Sequence, residues 1–368
     1  MASAGAGGFA MTYTPDDGGQ MLDFFSQTPI NKHIGGSPDF YPVEVDFGNE
    51  RQVFHIGMAS VAVPGIIKGL YSLHERYGSI PIKELFQPAI QNARAGVPID
   101  EFQHIDMGLL ERILKQDDSM KSVFFDDKGK RLKVGEKIRM PHLESFFDLL
   151  IHEGERGFYE GEISKIIDAD SKQRGGYIRR IDLENYKSFW RKPIQIEAFN
   201  SNIYLPNGPS IGGALMVILL NEYEKKGNWI EAIKEIKTHY YDLSKVKQHM
   251  KRSYAEAGFQ ANEGPISKNG TSHFNILDRF GNAVSFSCSI GEGCGYFIPG
   301  TDQQLNNMLG ESFLLPDGFH SWKENSRLHS MMTPTIVTDL KNQFKYSGGS
   351  GGAGRIPFMI AQVLDYLM

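Results

Sequence analysis

Asn269-Gly270-Thr271-Ser272-His273-Phe274, continued by Asn275-Ile276-Leu277-Asp278-Arg279-Phe280-Gly281-Asn282-Ala283-Val284, is the stretch on which the fold turns. A polar segment bearing Gly, Pro and Asn, Ala261–Gly270, leads into it, and that composition marks an exposed loop. Ser272–Leu277 and Ala283–Ile290 are β-rich and joined by a Gly-containing loop, which predicts a hairpin. With Asp278 and Ala283 flanking the loop, antiparallel pairing puts Thr271 opposite Ile290 and next to Ser289, within cross-strand reach. Thr271 itself has two readings. It is either a loop threonine in a chance glycosylation sequon or an autoprocessing nucleophile. A threonine hydroxyl attacks weakly unless a base sits beside it, and a free α-amino group on the same residue is such a base. That chemistry requires a cut before Thr271, and Gly270, with no side chain, permits the strained geometry of a cut site.

The second informative stretch is Gly348-Gly349-Ser350-Gly351-Gly352-Ala353-Gly354, between a predicted strand, Phe344–Ser347, and a last helix from Ile356. It fits a nucleophile elbow around Ser350 and a dinucleotide turn over Gly349, Gly351 and Gly354. The elbow lacks a later histidine, since none follows His329, and the dinucleotide turn lacks its downstream acid. A tight structural turn is a further reading. The remaining one is a set of backbone N–H groups at a helix start, a device for anions or oxyanions.

Working outward, the 368 residues suggest one large or two ordinary domains. Lys+Arg 39 against Asp+Glu 44 gives a net charge of −5, which excludes a broadly basic nucleic-acid or membrane-surface protein. No apolar run approaches the roughly 18 residues that span a bilayer. Two cysteines make no disulfide framework and have no metal spacing, and Cys288 reads as a packed strand residue. No cofactor, metal or nucleic-acid partner is expected. His74-Glu75 and His152-Glu153 lack the second histidine of a zinc helix. Asp126–Gly129 is a turn.

Strands are predicted at Phe9–Thr14, Tyr41–Phe47, Ile194–Phe199, Ile203–Leu205 and Thr335–Asp339. Helices are predicted at Pro64–Tyr77, where Leu70, Leu73 and Tyr77 recur at helical spacing, and at Ile82–Ala95, Glu101–Leu114, Leu143–His152 and Gly157–Ile167. Further helices follow from Ile211 to about Tyr223, at Trp229–Thr238 and at Leu243–Phe259. A polar run, Asp168–Arg174, and the turn Gly175-Gly176 separate the halves. The layout is α/β or α+β, with more than one helical layer on sheet. Both ends fall inside predicted elements, so a fragment of a longer protein is expected. The opening residues do not read as a signal peptide, and the compartment stays open.

These residues together resemble the gamma-glutamyltranspeptidase family. The likeness runs through Gly5-Ala6-Gly7-Gly8-Phe9, Val63-Pro64-Gly65, Leu73–Gly78, Phe158–Ile163, Gly175-Gly176 with Asp182–Tyr186, and Pro209-Ser210-Ile211-Gly212-Gly213. It continues through Thr271–Phe274, Gly281–Val284, Leu305–Met308, Met331–Thr335 and the final glycine cluster. The resemblance implies an α+β N-terminal nucleophile hydrolase fold, a four-layer αββα sandwich. It implies a proenzyme cut between Gly270 and Thr271 into a large-subunit portion, 1–270, and a small-subunit portion, 271–368. Thr271 would accept the γ-glutamyl group of glutathione or a similar amide and pass it to water or an amino acid. By position, Ser289 would assist Thr271, and the N–H groups of Gly352 and Ala353 would form the oxyanion site. Asn307 and Glu311 would hold the substrate's amino end. Ser330 matches one of two adjacent family serines, the other being His329 here. Family members are often periplasmic or extracellular.

Two departures stand out. Phe25, in Asp23-Phe24-Phe25-Ser26, occupies the place of a family arginine that grips the substrate α-carboxylate. Losing a charge-assisted contact costs about 1.5–3 kcal/mol, so another cation substitutes or the substrate differs. The nearest alternative is an acylase of the same fold acting on a different amide. A non-maturing, non-catalytic relative is the other. Gly291 stands where many members carry asparagine.

Overall fold

The computed structural model describes residues 2–47, 51–239, 270–315 and 318–367. The predicted helix Leu243–Phe259 and all but the last residue of the loop Ala261–Gly270 lie outside the described residues.

Two sheets lie at the centre. In the first, five strands run in the spatial order Ser272–Leu277, Ala283–Ser289, Gly7–Thr14, Gly18–Phe24 and Phe189–Arg191, all antiparallel. In the second, four strands follow the order Phe344–Gly348, Thr335–Asp339, Ser201–Leu205 and Ile194–Ala198, again antiparallel. Strand side chains alternate between faces, and that alternation builds the layers. Phe9, Met11, Tyr13 and Met21 point from the first sheet at Tyr204 and Ile336 of the second, in a core between the sheets. On the other face of the first sheet, Ala10, Leu22, Phe24 and Phe286 pack with Phe146, Phe158 and Ile163 of the outer helices. Ile203, Leu205 and Val337 of the second sheet face the helices Ile211–Lys226 and Ile356–Leu367 through Leu219, Ile360 and Leu364. The result is the αββα sandwich. A satellite core joins the hairpin Tyr41–Asp46/Arg51–Ile56 to three short helices between residues 101 and 124.

Most predicted elements are present, with instructive differences. Glu101–Leu114 breaks into Glu101–Leu109 and Glu111–Leu114, because Leu110 turns inward to the satellite core at φ −91°, ψ 6°. Gly157–Ile167 is two helices, Glu155–Tyr159 and Glu162–Arg174, interrupted where the N–H groups of Glu160 and Gly161 both return to Arg156. The polar run 168–174 is helical rather than a loop; Ser171 is buried beneath it, and Asp168 and Lys172 pair four residues apart on its outside. The first long helix starts at Ile66 and buries Ile66, Ile67 and Gly69, leaving Leu70 43% exposed. Among the described residues no helix is long and apolar enough to cross a membrane.

Candidate active site

The hairpin register places the candidate nucleophile. Ser272 pairs with Cys288 and Leu277 with Ala283, one step different from the predicted pairing. The cause is the loop: Asp278 belongs to it, its N–H bound to Asn282 O and its carboxylate to the Phe280 and Asn282 N–H groups. In this register the position across from Thr271 is Ser289, not Ile290. Sequence reasoning expected Ser289 to reach the Thr271 hydroxyl. Its Oγ instead donates to the carbonyl oxygen of Gly270, at 2.9 Å, and accepts the Gly291 N–H at 2.9 Å. In the uncut chain that carbonyl is the acceptor facing the serine.

Thr271, Ser289, Glu311, Ser330 and Ala353 line one cavity, open to solvent. Ser289 of the first sheet thus meets residues from the connections around it and from the start of the last helix. Glu311 follows the 3-10 turn Met308–Gly310. Ser330 is fixed by the turn at Pro209-Ser210: its N–H binds Pro209 O, its carbonyl takes the N–H of Ile211, and its Oγ accepts from Met332. His329, its neighbour, faces a different cavity, with Trp322 and Arg327. Asn307 does not line the site cavity. Its Oδ1 accepts the Glu292 N–H at 2.9 Å and its Nδ2 donates to His55 O at 3.3 Å, so it braces the turn that carries Ser289 and Gly291.

Gly291 has φ +64°, and a Cβ there would run into Asn307 Oδ1 and stand 2.5 Å from Glu311 Oε1. The glycine is therefore what lets those two acceptors close over the turn. The glycine cluster 348–354 packs against Thr271. A Cβ on Gly351 would lie 3.3 Å from Thr271 O and 3.5 Å from Thr271 N. Gly352 has φ +109°, and Ala353 opens the 3-10 turn Ala353–Arg355, so its N–H has no partner in a preceding helical turn. Ser350 points away, donating to Gly351 O at 3.0 Å and towards Met359 Sδ.

Phe25 lines the cavity, 1% exposed, its ring 5.4 Å from Phe9. Met308, Phe313, Leu314, Met332 and Ile356 make most of the remaining wall, and Glu311 is the charged residue of the lining. A cation beside Phe25 that the sequence did not mark is Arg327. Its side chain is 9% exposed; it donates to the Phe25 and Lys187 carbonyls, contacts Asp23 at 3.5 Å and lies 4.7 Å over the Tyr186 ring. Asp23, fully buried, also takes Arg191 at 2.8 Å and the Phe25 N–H at 3.0 Å. Arg327 thus holds the backbone under Phe25 and lines the neighbouring cavity instead. Nothing in the sequence marked it beyond its place three residues before Ser330.

His273 is held by Ser287 Oγ at 2.8 Å and Asn275 Oδ1 at 3.1 Å, and burial lowers its pKa. Burial pushes the thiols of Cys288 and Cys294 up to about 11 and about 12, which leaves them inert at neutral pH.

The family profile described as gamma-glutamyltranspeptidase matches residues 1–260 and 230–368. Among curated relatives, glutathione hydrolase 3 of Arabidopsis thaliana is 25% identical, over 98% of this chain and 62% of its own length. The capsule biosynthesis protein CapD proenzyme of Bacillus anthracis is 28% identical, over 86% of this chain and 61% of its own length. The chain therefore spans about three fifths of these relatives, 62% and 61%. Cephalosporin acylase from Bacillus halodurans, 23% identical, shares the fold with a TM-score of 0.78 over 99% of this chain and 73% of that one. Gamma-glutamyltranspeptidase from Helicobacter pylori, 25% identical, gives 0.56 over 69% of this chain and 77% of that one.

Proposed function

This chain belongs to the gamma-glutamyltranspeptidase family, and we propose that it is an autoprocessing N-terminal threonine amidohydrolase or acyltransferase acting on γ-glutamyl amides. The observation that carries this reading is the Ser289 Oγ–Gly270 carbonyl contact beside Thr271, in the cavity shared with Glu311, Ser330 and Ala353. Maturation starts when the Thr271 hydroxyl attacks the Gly270 carbonyl carbon. The Gly270–Thr271 C–N bond breaks, the hydroxyl proton ends on the new α-amine, and an ester joins Gly270 to Thr271 Oγ. Water then hydrolyses the ester, leaving a carboxyl on Gly270 and a free hydroxyl and α-amine on Thr271, with 1–270 and 271–368 as the two subunits.

Ser289, hydrogen-bonded to the carbonyl, stabilises the charge that develops on its oxygen. In turnover the Thr271 α-amine takes the hydroxyl proton as the substrate carbonyl is attacked, and the N–H groups of Gly352 and Ala353 receive the oxyanion. The leaving amine departs with a proton, and water or an amino acid takes the acyl group. Glu311 would meet the substrate's amino group and Ser330 would donate to its acyl end, with Asn307 bracing the turn behind them. No cofactor or metal enters this scheme. Denaturing electrophoresis tests it: Thr271→Ala stays one chain and Thr271→Ser is cut more slowly. Cleavage of Thr271→Ala at the parent rate would end the reading.

The wall around Phe25 favours a second reading, an acylase for a different amide. An apolar lining rejects a carboxylate that finds no cation. Phe25→Arg then raises kcat/KM for glutathione by about tenfold, the worth of about 1.4 kcal/mol in a charge-assisted contact. Parent activity already equal to that of a glutathione hydrolase would contradict this account of Phe25.

A further inference from the structure

The turn after the Ala283–Ser289 strand carries an acid that the scheme above does not use. Glu292 is 4% exposed. Its Oε1 accepts the N–H of Gly270 at 3.3 Å. Three residues earlier on the same turn, Ser289 Oγ donates to the carbonyl of Gly270 at 2.9 Å. The residue whose carbonyl faces Thr271 is thus gripped at both its backbone polar groups from one short segment. That segment is itself fixed: Glu292 N donates to Asn307 Oδ1 at 2.9 Å, and Asn307 N donates to Ile290 O at 3.1 Å. Glycine has the widest backbone freedom of any residue, so a free Gly270 would present its carbonyl in many orientations. Two hydrogen bonds on opposite ends of the residue remove that freedom, and orientation of a reacting group is worth orders of magnitude in rate.

We propose that Glu292 is a positioning residue for self-cleavage, holding the Gly270 N–H so that the Gly270 carbonyl is presented to the Thr271 hydroxyl between Ser289 and the nucleophile. The inference rests on the autoprocessing reading above. It deepens that reading by assigning the amide side of the clamp to a residue that touches neither Thr271 Oγ nor the carbonyl. Burial is the largest cause that pushes the Glu292 carboxyl up to about 7, so near neutral pH both its acid and its carboxylate form are present. An oxygen of either form accepts the Gly270 N–H.

The test follows the conversion of full chain to two bands for the parent, Glu292→Gln and Glu292→Met. Glutamine keeps an acceptor oxygen at the same reach, whereas methionine keeps the volume and the unbranched stem but cannot accept. Expected is a loss of at least tenfold in the cleavage rate for Glu292→Met, with Glu292→Gln within about threefold of the parent. Rescue by glutamine separates positioning from mere filling of a buried space, which both variants supply. Folding is followed by thermal melting in a Thr271→Ala background, where no cleavage intervenes. Should the methionine variant not fold, Glu292→Gln decides alone, and a tenfold loss there overturns the proposal. Cleavage of a folded Glu292→Met at the parent rate overturns it as well, while leaving autoprocessing intact. A parent that stays uncut overturns the autoprocessing reading and this inference with it.

Discussion

At Gly270 a single backbone carbonyl meets a serine hydroxyl at 2.9 Å, and much of the site's chemistry is compressed into that contact. Ser289 is buried and its oxygen is itself oriented by the Gly291 N–H, so it does not need to reorganise as charge grows on the carbonyl. Losing one preorganised donor of this kind costs about 10²–10³ in rate. Ser289→Ala is therefore expected to slow self-cleavage by about 10²-fold, with melting temperature changed little, as read by gel time course and thermal melting. Cleavage within a factor of two of the parent would mean that the contact is incidental. The residue pair was legible in the sequence, because hairpin counting brought Ser289 beside Thr271. The bond it makes was not, since the register depended on whether Asp278 belonged to strand or loop, and its side chain closes the loop.

At the scale of elements, the loop 348–354 packs against Thr271. Glycine runs are legible in any sequence, but their partner is not. Only packing shows that Gly351 has the Thr271 backbone above it and that Gly349 has the His273 ring. Gly351→Ala puts a methyl 3.3–3.6 Å from Thr271. The expected outcome is at least a tenfold loss in cleavage and turnover with a melting temperature close to the parent, because the added atom crowds Thr271 and not the core. Unchanged rates would show that the loop stands further from the chemistry than this packing requires.

A second element-scale feature is the aromatic cluster that docks the segment around His320. Phe40 stacks on His55 at 4.9 Å and meets His320 at 4.5 Å, and Tyr177 Oη lies 2.8 Å from His320 Nδ1. Burial, followed by the charge of His320, lowers the His55 pKa, and burial, followed by Lys32, lowers that of His320. Both folded values therefore lie below the ordinary value of about 6.5. The unfolded chain binds more protons there, so this contribution is complete above about 6.5 and is lost as pH falls through the folded values. Glu292, with its raised pKa, acts in the opposite sense over the same range. The His part is isolated by comparing the parent with a His55→Gln/His320→Gln variant. The drop in melting temperature from pH 7.5 to 5 is expected to be shallower in the variant. An equal or steeper drop would contradict the assignment.

Across the whole molecule, individual strands were legible in the sequence, whereas the sandwich followed only from the family resemblance. Phe9, Met11 and Tyr13 face the space between the sheets, and the intervening small or polar residues face the helices or the neighbouring strands. The helical layers were less so. The polar stretch 168–174 carries its burial on Ser171 rather than on an apolar stripe, and Leu110 bends a helix because the satellite core claims its side chain. Long-range pairings were beyond the sequence. Nothing local said that Arg327 would reach Asp23, or that Glu311 would meet Gly291. The first of these joins the portion before Thr271 to the portion after it. The two portions share one set of cores, so a cut at the junction would leave the sandwich intact.

The central claim is the proposed self-cleavage between Gly270 and Thr271. The measurement that tests it most directly is N-terminal sequencing of the bands from purified protein on a denaturing gel. The account predicts two chains, the smaller beginning Thr-Ser-His-Phe from Thr271. A single chain after prolonged incubation, or a smaller chain with any other terminus, would contradict it.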